Sequence, residues 1–257
     1  MKYQEQAELI EKSQLQYDIF RFKIKTKNIA KQAEPGQFLE IKVADGNGLF
    51  LRRPISIFNI ENDELEFIFQ VKGEGTKALS KKQIGDKIDI LGPLGYGTFS
   101  IKEYNTVAII GGGIGVYPLH EAAKRLKGKT KINTYLGFRN KDYVTVEDEF
   151  RKVSDKLIIT TDDGSYGEKG FAIDFLKQDE KPDIIMACGP LPMLRAVKQY
   201  AVENDIKCEV SLEERMGCGL GACLGCAVKT AQSPKEAPEY WHVCKAGPVF
   251  EAKDVEF

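Results

Sequence analysis

Thr106-Val107-Ala108-Ile109-Ile110-Gly111-Gly112-Gly113-Ile114-Gly115-Val116-Tyr117-Pro118 runs from a buried-type strand into a glycine-rich turn, and a helical stretch follows from Leu119 to Leu126. Strand, glycine turn and helix in that order form the entrance to a nucleotide-binding βα unit, where the backbone approaches phosphate closely. Gly111, Gly112, Gly113 and Gly115 are therefore the candidate nucleotide-binding residues. The strict G-x-G-x-x-G fingerprint fails, because Pro118 stands at the third position. Proline is tolerated in a first helical turn, so the departure does not break the unit, but it argues against an ordinary dinucleotide-binding dehydrogenase.

Further strands read outward at 132–138, 157–161 and 183–187, with helical stretches between and after them, notably Pro192 to Glu203. Such alternation predicts a doubly wound parallel sheet with its ligand at the carboxyl ends of the strands. Those ends carry Gly137-Phe138-Arg139-Asn140, Asp162-Asp163-Gly164-Ser165-Tyr166-Gly167 and Cys188-Gly189-Pro190. No acid stands obviously placed for a ribose, and Arg139 could accept a 2′-phosphate. NAD against NADP stays open on the residues alone.

The first hundred residues have a different period. Phe20, Phe22 and Ile24 alternate with Arg21, Lys23 and Lys25, and Leu65, Phe67, Phe69 and Val71 fall on every second position. Short runs at 38–43 and 87–91, with turns at Glu34-Pro35-Gly36 and Ala44-Asp45-Gly46-Asn47-Gly48, complete the pattern of a small antiparallel barrel. One helix is predicted from about Thr76 to Lys82. Within the barrel lies Leu51-Arg52-Arg53-Pro54-Ile55-Ser56-Ile57, which by itself also suits a strand with a solvated face. Lys72-Gly73-Glu74-Gly75-Thr76 then precedes the helix, with Thr76 as a plausible N-cap. A helix N-terminus seats phosphate, and an arginine fork suits a diphosphate.

Near the other end stands Glu213-Glu214-Arg215-Met216-Gly217-Cys218-Gly219-Leu220-Gly221-Ala222-Cys223-Leu224-Gly225-Cys226, with Cys244 further on. The spacing C-x4-C-x2-C…C is the plant-type pattern of a [2Fe–2S] cluster, in which each iron takes two thiolates. Gly217, Gly219, Gly221 and Gly225 permit the tight turn around it. A four-cysteine zinc site uses the same atoms but commonly shows two CxxC pairs; disulfides need an oxidising compartment.

The chain has 257 residues, 42% hydrophobic and 29% charged, with a formal net charge of −1. That balance gives no case for nucleic acid or an anionic membrane as partner. No apolar run approaches the ~20 residues of a membrane helix, and the polar start Met1-Lys2-Tyr3-Gln4-Glu5 lacks a signal-peptide core. A cytoplasmic protein with reduced thiols is expected.

Taken together, Arg-Pro-Ile-Ser at 53–56, Gly-x-Gly-Thr-x-x-Leu at 73–79 and Leu91-Gly92-Pro93-Leu94-Gly95 resemble the flavin site of the ferredoxin–NADP reductase family. The resemblance implies that Arg53, Pro54, Ile55, Ser56, Gln70, Val71 and Lys72 line FAD, that Gly75 and Thr76 bind its phosphate, and that Cys188 helps position nicotinamide. A small buried thiol is the plainer reading of Cys188, and still more of Cys208. The expected fold is an antiparallel Greek-key FAD barrel (residues 1–102), a doubly wound parallel-sheet NAD domain (103–210) and a small C-terminal iron–sulfur module (211–257).

Within that family the full length, and above all residues 213–226, is similar to the electron-transfer subunits of type B (NAD-linked) dihydroorotate dehydrogenases. This implies FAD, a [2Fe–2S] cluster on Cys218, Cys223, Cys226 and Cys244, and NAD. It also implies a role in pyrimidine (UMP) biosynthesis and an FMN-containing catalytic subunit as partner, in a heterotetramer of two of each. The cluster motif also serves small subunits of NADH-dependent ferredoxin–NADP oxidoreductases, sulfide dehydrogenases and hydrogenase-linked flavoproteins. A module that only senses redox state or scaffolds a partner is the reading from another class. Against it, nicotinamide exchanges two electrons, a [2Fe–2S] cluster one, and flavin both. His120 and His242, the only two histidines, read as packing residues, so no acid–base machinery for an organic substrate is evident.

Overall fold

The computed structural model describes residues 1–44, 48–234 and 236–257. Asp45, Gly46 and Asn47, the centre of the second expected turn, lie outside the described residues. The N-terminal strands β1 (Tyr3–Gln16), β2 (Ile19–Lys25), β3 (Phe38–Ile41), β4 (Arg53–Glu61), β5 (Glu64–Gln70) and β6 (Lys87–Leu94) close a barrel in the order β1-β2-β5-β4-β3-β6. Every neighbouring pair is antiparallel. The period-two pattern explains its core. Phe22, Ile24, Leu65, Phe67, Phe69, Ile88 and Ile90 point inward into one apolar cluster. Two short helices flank the barrel, α1 (Ile29–Gln32) and α2 (Glu74–Ser80). Helix α2 starts earlier than expected, because Gly73 is its N-cap. Thr76 sits at the third helical position, where its hydroxyl accepts from the amides of Lys72 (3.0 Å) and Gly73 (3.3 Å).

The second sheet contains β7 (Thr106–Gly112), β8 (Lys131–Phe138), β9 (Lys156–Thr161), β10 (Glu168–Lys169), β11 (Ile184–Cys188) and β12 (Lys207–Ser211), all parallel, in the order β10-β9-β8-β7-β11-β12. Helices α3 (His120–Leu126) and α4 (Glu147–Val153) cover one face; α5 (Ala172–Leu176) and α6 (Leu191–Glu203) cover the other. Strand β7 shows why the winding is double. Val107 and Ile109 join the core under Leu119, Ala122 and Phe150, while Ala108 and Ile110 join the core under Ala172, Leu194 and Val197. Pro118 lies inside a 3-10 turn over Gly113–Leu119 that leads into α3.

The C-terminal segment forms β13 (Ala227–Thr230) and β14 (Tyr240–His242), then β15 (Val249–Glu251) and β16 (Val255–Glu256). Strand β15 returns to the second sheet and pairs antiparallel with β12, while β13, β14 and β16 make a small sheet of their own. The cysteine loop is thus tied down on both sides, by β12 before it and β15 after it.

Polar side chains fix the barrel against the sheet domain. Glu121 accepts from the amide of Ile60 at 3.0 Å, and Lys124 reaches Asn59 Oδ1 at 2.6 Å and the Ile60 carbonyl at 2.7 Å. Arg21 bonds Glu66 within the barrel and Glu149 of α4 at 2.5 Å. His120 stacks on Phe58 with centroids 4.5 Å apart, and burial pushes its imidazole down to about 4, so it packs as a neutral ring. Burial also pushes the Glu66 carboxyl up, but the Arg21 hydrogen bond overcomes that and holds it below the ordinary range. The depressed acid stabilises the fold above the ordinary carboxylate range, and that contribution is lost as pH falls through the lowered value. Arg21→Ala removes the ion-pair partner of Glu66 but leaves the Asn59 side-chain amide donating to it at 2.9 Å, and should cost about 2 kcal/mol. Urea unfolding of wild type and variant at pH 7 measures it; coincident midpoints would contradict the role given to the pair.

Candidate functional site

A cleft opens where the barrel meets the sheet. Arg53, Pro54, Ile55 and Ser56 from β4, with Gln70 and Lys72 after β5, form its barrel wall, and Thr76 closes one end. Val71 does not face the cleft: it packs against the barrel core, as alternation along an extended segment requires. Gly75 serves from behind. A Cβ there would lie 2.6 Å from the Arg53 guanidinium, so its bareness lets Arg53 lie across the start of α2, beside Thr76. The arrangement suits FAD: an arginine fork and a helix start for the diphosphate, and a strand edge for the ring.

A second cleft adjoins the first and shares Gln70, Lys72, Ile114, Tyr117 and Glu213 with it. Its floor is Gly112, Gly113 and Gly115, with Gly189 and Pro190 opposite. Gly115 is the tightest point, because a Cβ would stand 2.6 Å from the backbone of Gly189. Gly111 does not face the cleft; its missing Cβ makes room for Val116 and Leu119. Cys188 lies behind the wall, 1% exposed, and lines neither of these two clefts. Burial, reinforced by the charge of Glu213, pushes its thiol well above the ordinary range, so it is a neutral group at this position. A third cleft continues outward past Gly112, Gly113 and Pro190 to Phe171. It contains the acid that the sequence left unplaced: Asp162, at the end of β9. Arg139 lines both the second cleft and this outer one.

Residues 213–216 stand directly before the cysteines. They are cleft wall: Glu213, Glu214 and Met216 all face the first cleft, because β12 ends at Ser211 beside Cys188. Burial in the protein wall pushes the Glu213 carboxyl up, with Lys72 opposing. The side chain nevertheless meets solvent through the open cleft.

Two residues past Met216 the cysteine loop begins. All six cysteines are free thiols. Cys218 and Cys223 contact each other, as do Cys226 and Cys244, and Cys244 is within electrostatic reach of Cys218. The amides of Leu220 (3.3 Å) and Cys223 (3.4 Å) donate to the Cys218 sulfur, and that of Cys244 donates to the Cys226 sulfur (3.4 Å). Burial raises the Cys218 thiol, but these amides outweigh it and draw it below its ordinary value. Gly219 and Gly221 have positive φ, as does Leu224, whereas Gly217 and Gly225 do not use that freedom. Among the described residues no three His, Cys, Asp or Glu side chains close around one point. The thiols stand instead as an outer pair, half-buried Cys218 with exposed Cys223, and a buried pair, Cys226 with Cys244, which suits a two-iron cluster taking two thiolates per iron.

Barrel, nucleotide sheet and cysteine loop define the class: an iron–sulfur flavoprotein of ferredoxin-reductase type. The comparisons agree. Residues 6–99 match the oxidoreductase FAD-binding domain, and residues 213–256 match the iron–sulfur cluster binding domain of dihydroorotate dehydrogenase B. The dihydroorotate dehydrogenase B (NAD(+)) electron transfer subunit of Bacillus velezensis is 42% identical over 92% of this chain and 93% of its own length. That of Bacillus pumilus is 45% identical over 86% and 85%. A structure of an NADH-dependent reduced ferredoxin–NADP oxidoreductase superposes with a TM-score of 0.86 at 33% identity, covering 98% of this chain and 90% of that one. A ferredoxin–NADP+ reductase from Neisseria gonorrhoeae shares the fold alone, at 16% identity and TM-score 0.67 over 78% of this chain and 91% of that one. The chain belongs to the family of dihydroorotate dehydrogenase B (NAD(+)) electron transfer subunits.

Proposed function

We propose that this chain takes electrons from the FMN-containing catalytic subunit that oxidises dihydroorotate to orotate, in pyrimidine biosynthesis, and delivers them to NAD+. The observation that carries this is continuity. The nucleotide cleft opens into the flavin cleft through a shared wall, and the flavin wall runs through Met216 directly into the cysteine loop. Bound FAD would supply the exchange between one-electron and two-electron chemistry. The chain's own residues do the rest. Arg53 and Thr76 hold phosphate; Pro54, Ile55, Ser56, Gln70 and Lys72 orient the flavin ring. Tyr117, buried and bonded to Thr145 at 3.1 Å, lines both clefts. Gly112, Gly113 and Gly115 would admit the dinucleotide backbone, and Glu213 lines both clefts. Cys218, Cys223, Cys226 and Cys244 are the cluster ligands. Cys188, behind Gly189, shapes the nicotinamide seat without touching solvent.

We divide the chain into a barrel (residues 1–102), a sheet domain (103–210) and a cluster module (211–257), with β15 as a tether back to the sheet. No helix among the described residues is long and apolar enough to cross a membrane, and we place the chain in the cytoplasm, where thiols stay reduced. Leu220, Ala222 and Leu224, all exposed around Cys223, form an apolar rim on which the catalytic subunit docks. We take the assembly to hold two of each subunit. The superposition on the ferredoxin–NADP oxidoreductase supports a second reading, with a ferredoxin-linked flavoprotein as partner. Copurification from the host decides between them. An FMN protein that makes the pair reduce NAD+ with dihydroorotate supports the first; a partner active only with ferredoxin overturns it.

The outer cleft also bears on the choice of nucleotide. Arg139 lines both nucleotide clefts, where it would meet a diphosphate, while Asp162 lines only the outer one. A carboxylate there accepts from ribose hydroxyls and repels a 2′-phosphate. Asp162→Ser should shift the kcat/KM ratio of NADPH to NADH upward by about tenfold, the effect of one charged contact. Arg139→Ala should weaken both nucleotides alike. An unchanged ratio in the Asp162 variant would remove this assignment.

A further inference from the structure

Strand β3 carries an acid where its neighbours carry hydrocarbon. Phe38, Leu39, Glu40 and Ile41 are all buried, and Glu40 is 1% exposed. Among the described residues neither of its carboxyl oxygens has a hydrogen-bond partner. Burying an acid without a partner is costly, so the position calls for a reason other than packing.

The surroundings of Glu40 give one. The nearby cations are engaged elsewhere. Arg52 binds Asp89 at 2.7 Å and the main-chain carbonyl of Glu40 at 3.3 Å, and Arg53 binds the carbonyl of Leu51 at 2.6 Å. The lid over the carboxyl is the cysteine loop itself. A Cβ on Gly219 would lie 2.5 Å from Glu40 Cγ and 2.7 Å from Oε1, and Gly219 has a φ of +67°. A bare, left-handed residue next to Cys218 is what lets the loop settle onto the acid. Two residues back on the same strand, Phe38 lines the flavin cleft. Glu40 therefore lies at the joint between the two redox sites. Burial pushes its carboxyl up to about 7, opposed by Arg52 and Arg53 and reinforced by Cys218.

We propose that Glu40 sets the reduction potential of the iron–sulfur cluster: it is a solvent-shielded acid placed beneath the Cys218–Gly219 turn that makes the cluster harder to reduce. This rests on the reading of the four cysteines as cluster ligands. One-electron reduction adds one negative charge and breaks no bond. A carboxylate held in the protein interior opposes that charge, and salt screens it far less than it would a surface acid.

The test is an EPR-monitored redox titration of the chain loaded with FAD and iron, run at pH 7 and again at pH 9. Glu40→Gln keeps the shape and removes the charge. Glu40→Leu also removes the cost of burying an acid, which guards against a variant that fails to fold. Both variants should make the cluster easier to reduce, by about tenfold in the equilibrium constant or about 59 mV for one electron. The flavin should move less. Variants with full iron and sulfide content and the wild-type cluster potential would overturn the role of Glu40. A wild-type chain that binds no iron would instead overturn the ligand reading on which the proposal rests.

Discussion

Cys223→Ser abolishes reduction of NAD+ by dihydroorotate in the complex with the catalytic subunit, while NADH oxidation with an artificial dye continues near the wild-type rate. The expectation follows from where the residue stands. Cys223 is the exposed member of the outer thiol pair, away from both clefts, and its contacts are with Cys218 and the loop rather than with the flavin wall. Losing one of four thiolate ligands should cost about a hundredfold or more in cluster retention or linked activity. The flavin cleft is lined by the barrel, by Ile114, Tyr117, Pro118 and Pro248, and by residues 211–214 and 216, so hydride exchange between NADH and FAD needs no cysteine of the loop. FAD content, dye reduction and linked activity, measured on one preparation, separate the two halves. Full linked activity in a cluster-free variant would mean that electrons reach the flavin by another route.

Gly115→Ala is expected to have the second large effect, with the opposite selectivity. Its Cβ would meet Gly189 Cα and N at 2.6 Å and the carbonyl carbon of Cys188 at 2.7 Å. These are backbone atoms at the end of β11, which is hydrogen-bonded on both sides to β7 and β12 and cannot retreat. The glycine turn must move outward instead, widening the seat of the nicotinamide. A displacement of about 1 Å in a hydride-transfer geometry is worth roughly a hundredfold in rate. NADH-dependent dye reduction should fall by that order, with FAD content and the EPR signal of the dithionite-reduced cluster unchanged. Stopped-flow reduction of the bound flavin by NADH measures it; a wild-type rate would show that the close approach of Gly115 and Gly189 does not position the nucleotide.

The parts of the molecule that follow a short-range rule were legible in the sequence. Alternation gave the barrel walls because one face of each strand is core and the other is not. The glycine turn after β7 and the cysteine spacing are equally local. What escaped reading depends on long-range packing. Lys207-Cys208-Glu209-Val210-Ser211 looks too polar for an interior strand, yet Glu209 is buried because Lys207 and Ser100 bond its carboxylate. The antiparallel return of β15 has no local signature, although it anchors the cluster segment to the nucleotide sheet. Val71, Gly75 and Gly111 fall inside motifs but turn toward the core or support a neighbour, which a motif cannot show. Glu40 in Phe38-Leu39-Glu40-Ile41 reads as the wet position of an amphipathic strand until the cysteine loop is laid over it. Asp162 and Glu213 come to the clefts through the ends of β9 and β12, so their place follows from the sheet order.

The central claim is that the cysteine loop holds two irons in electronic contact with a flavin that NADH can reduce. Anaerobic purification of the chain, iron and sulfide analysis, and EPR after addition of NADH alone test it together. The account predicts two irons and two sulfides per chain, and a one-electron cluster signal that grows on NADH addition and disappears when FAD is removed. A colourless chain carrying zinc, or a cluster that dithionite reduces but NADH with bound FAD never does, would contradict it.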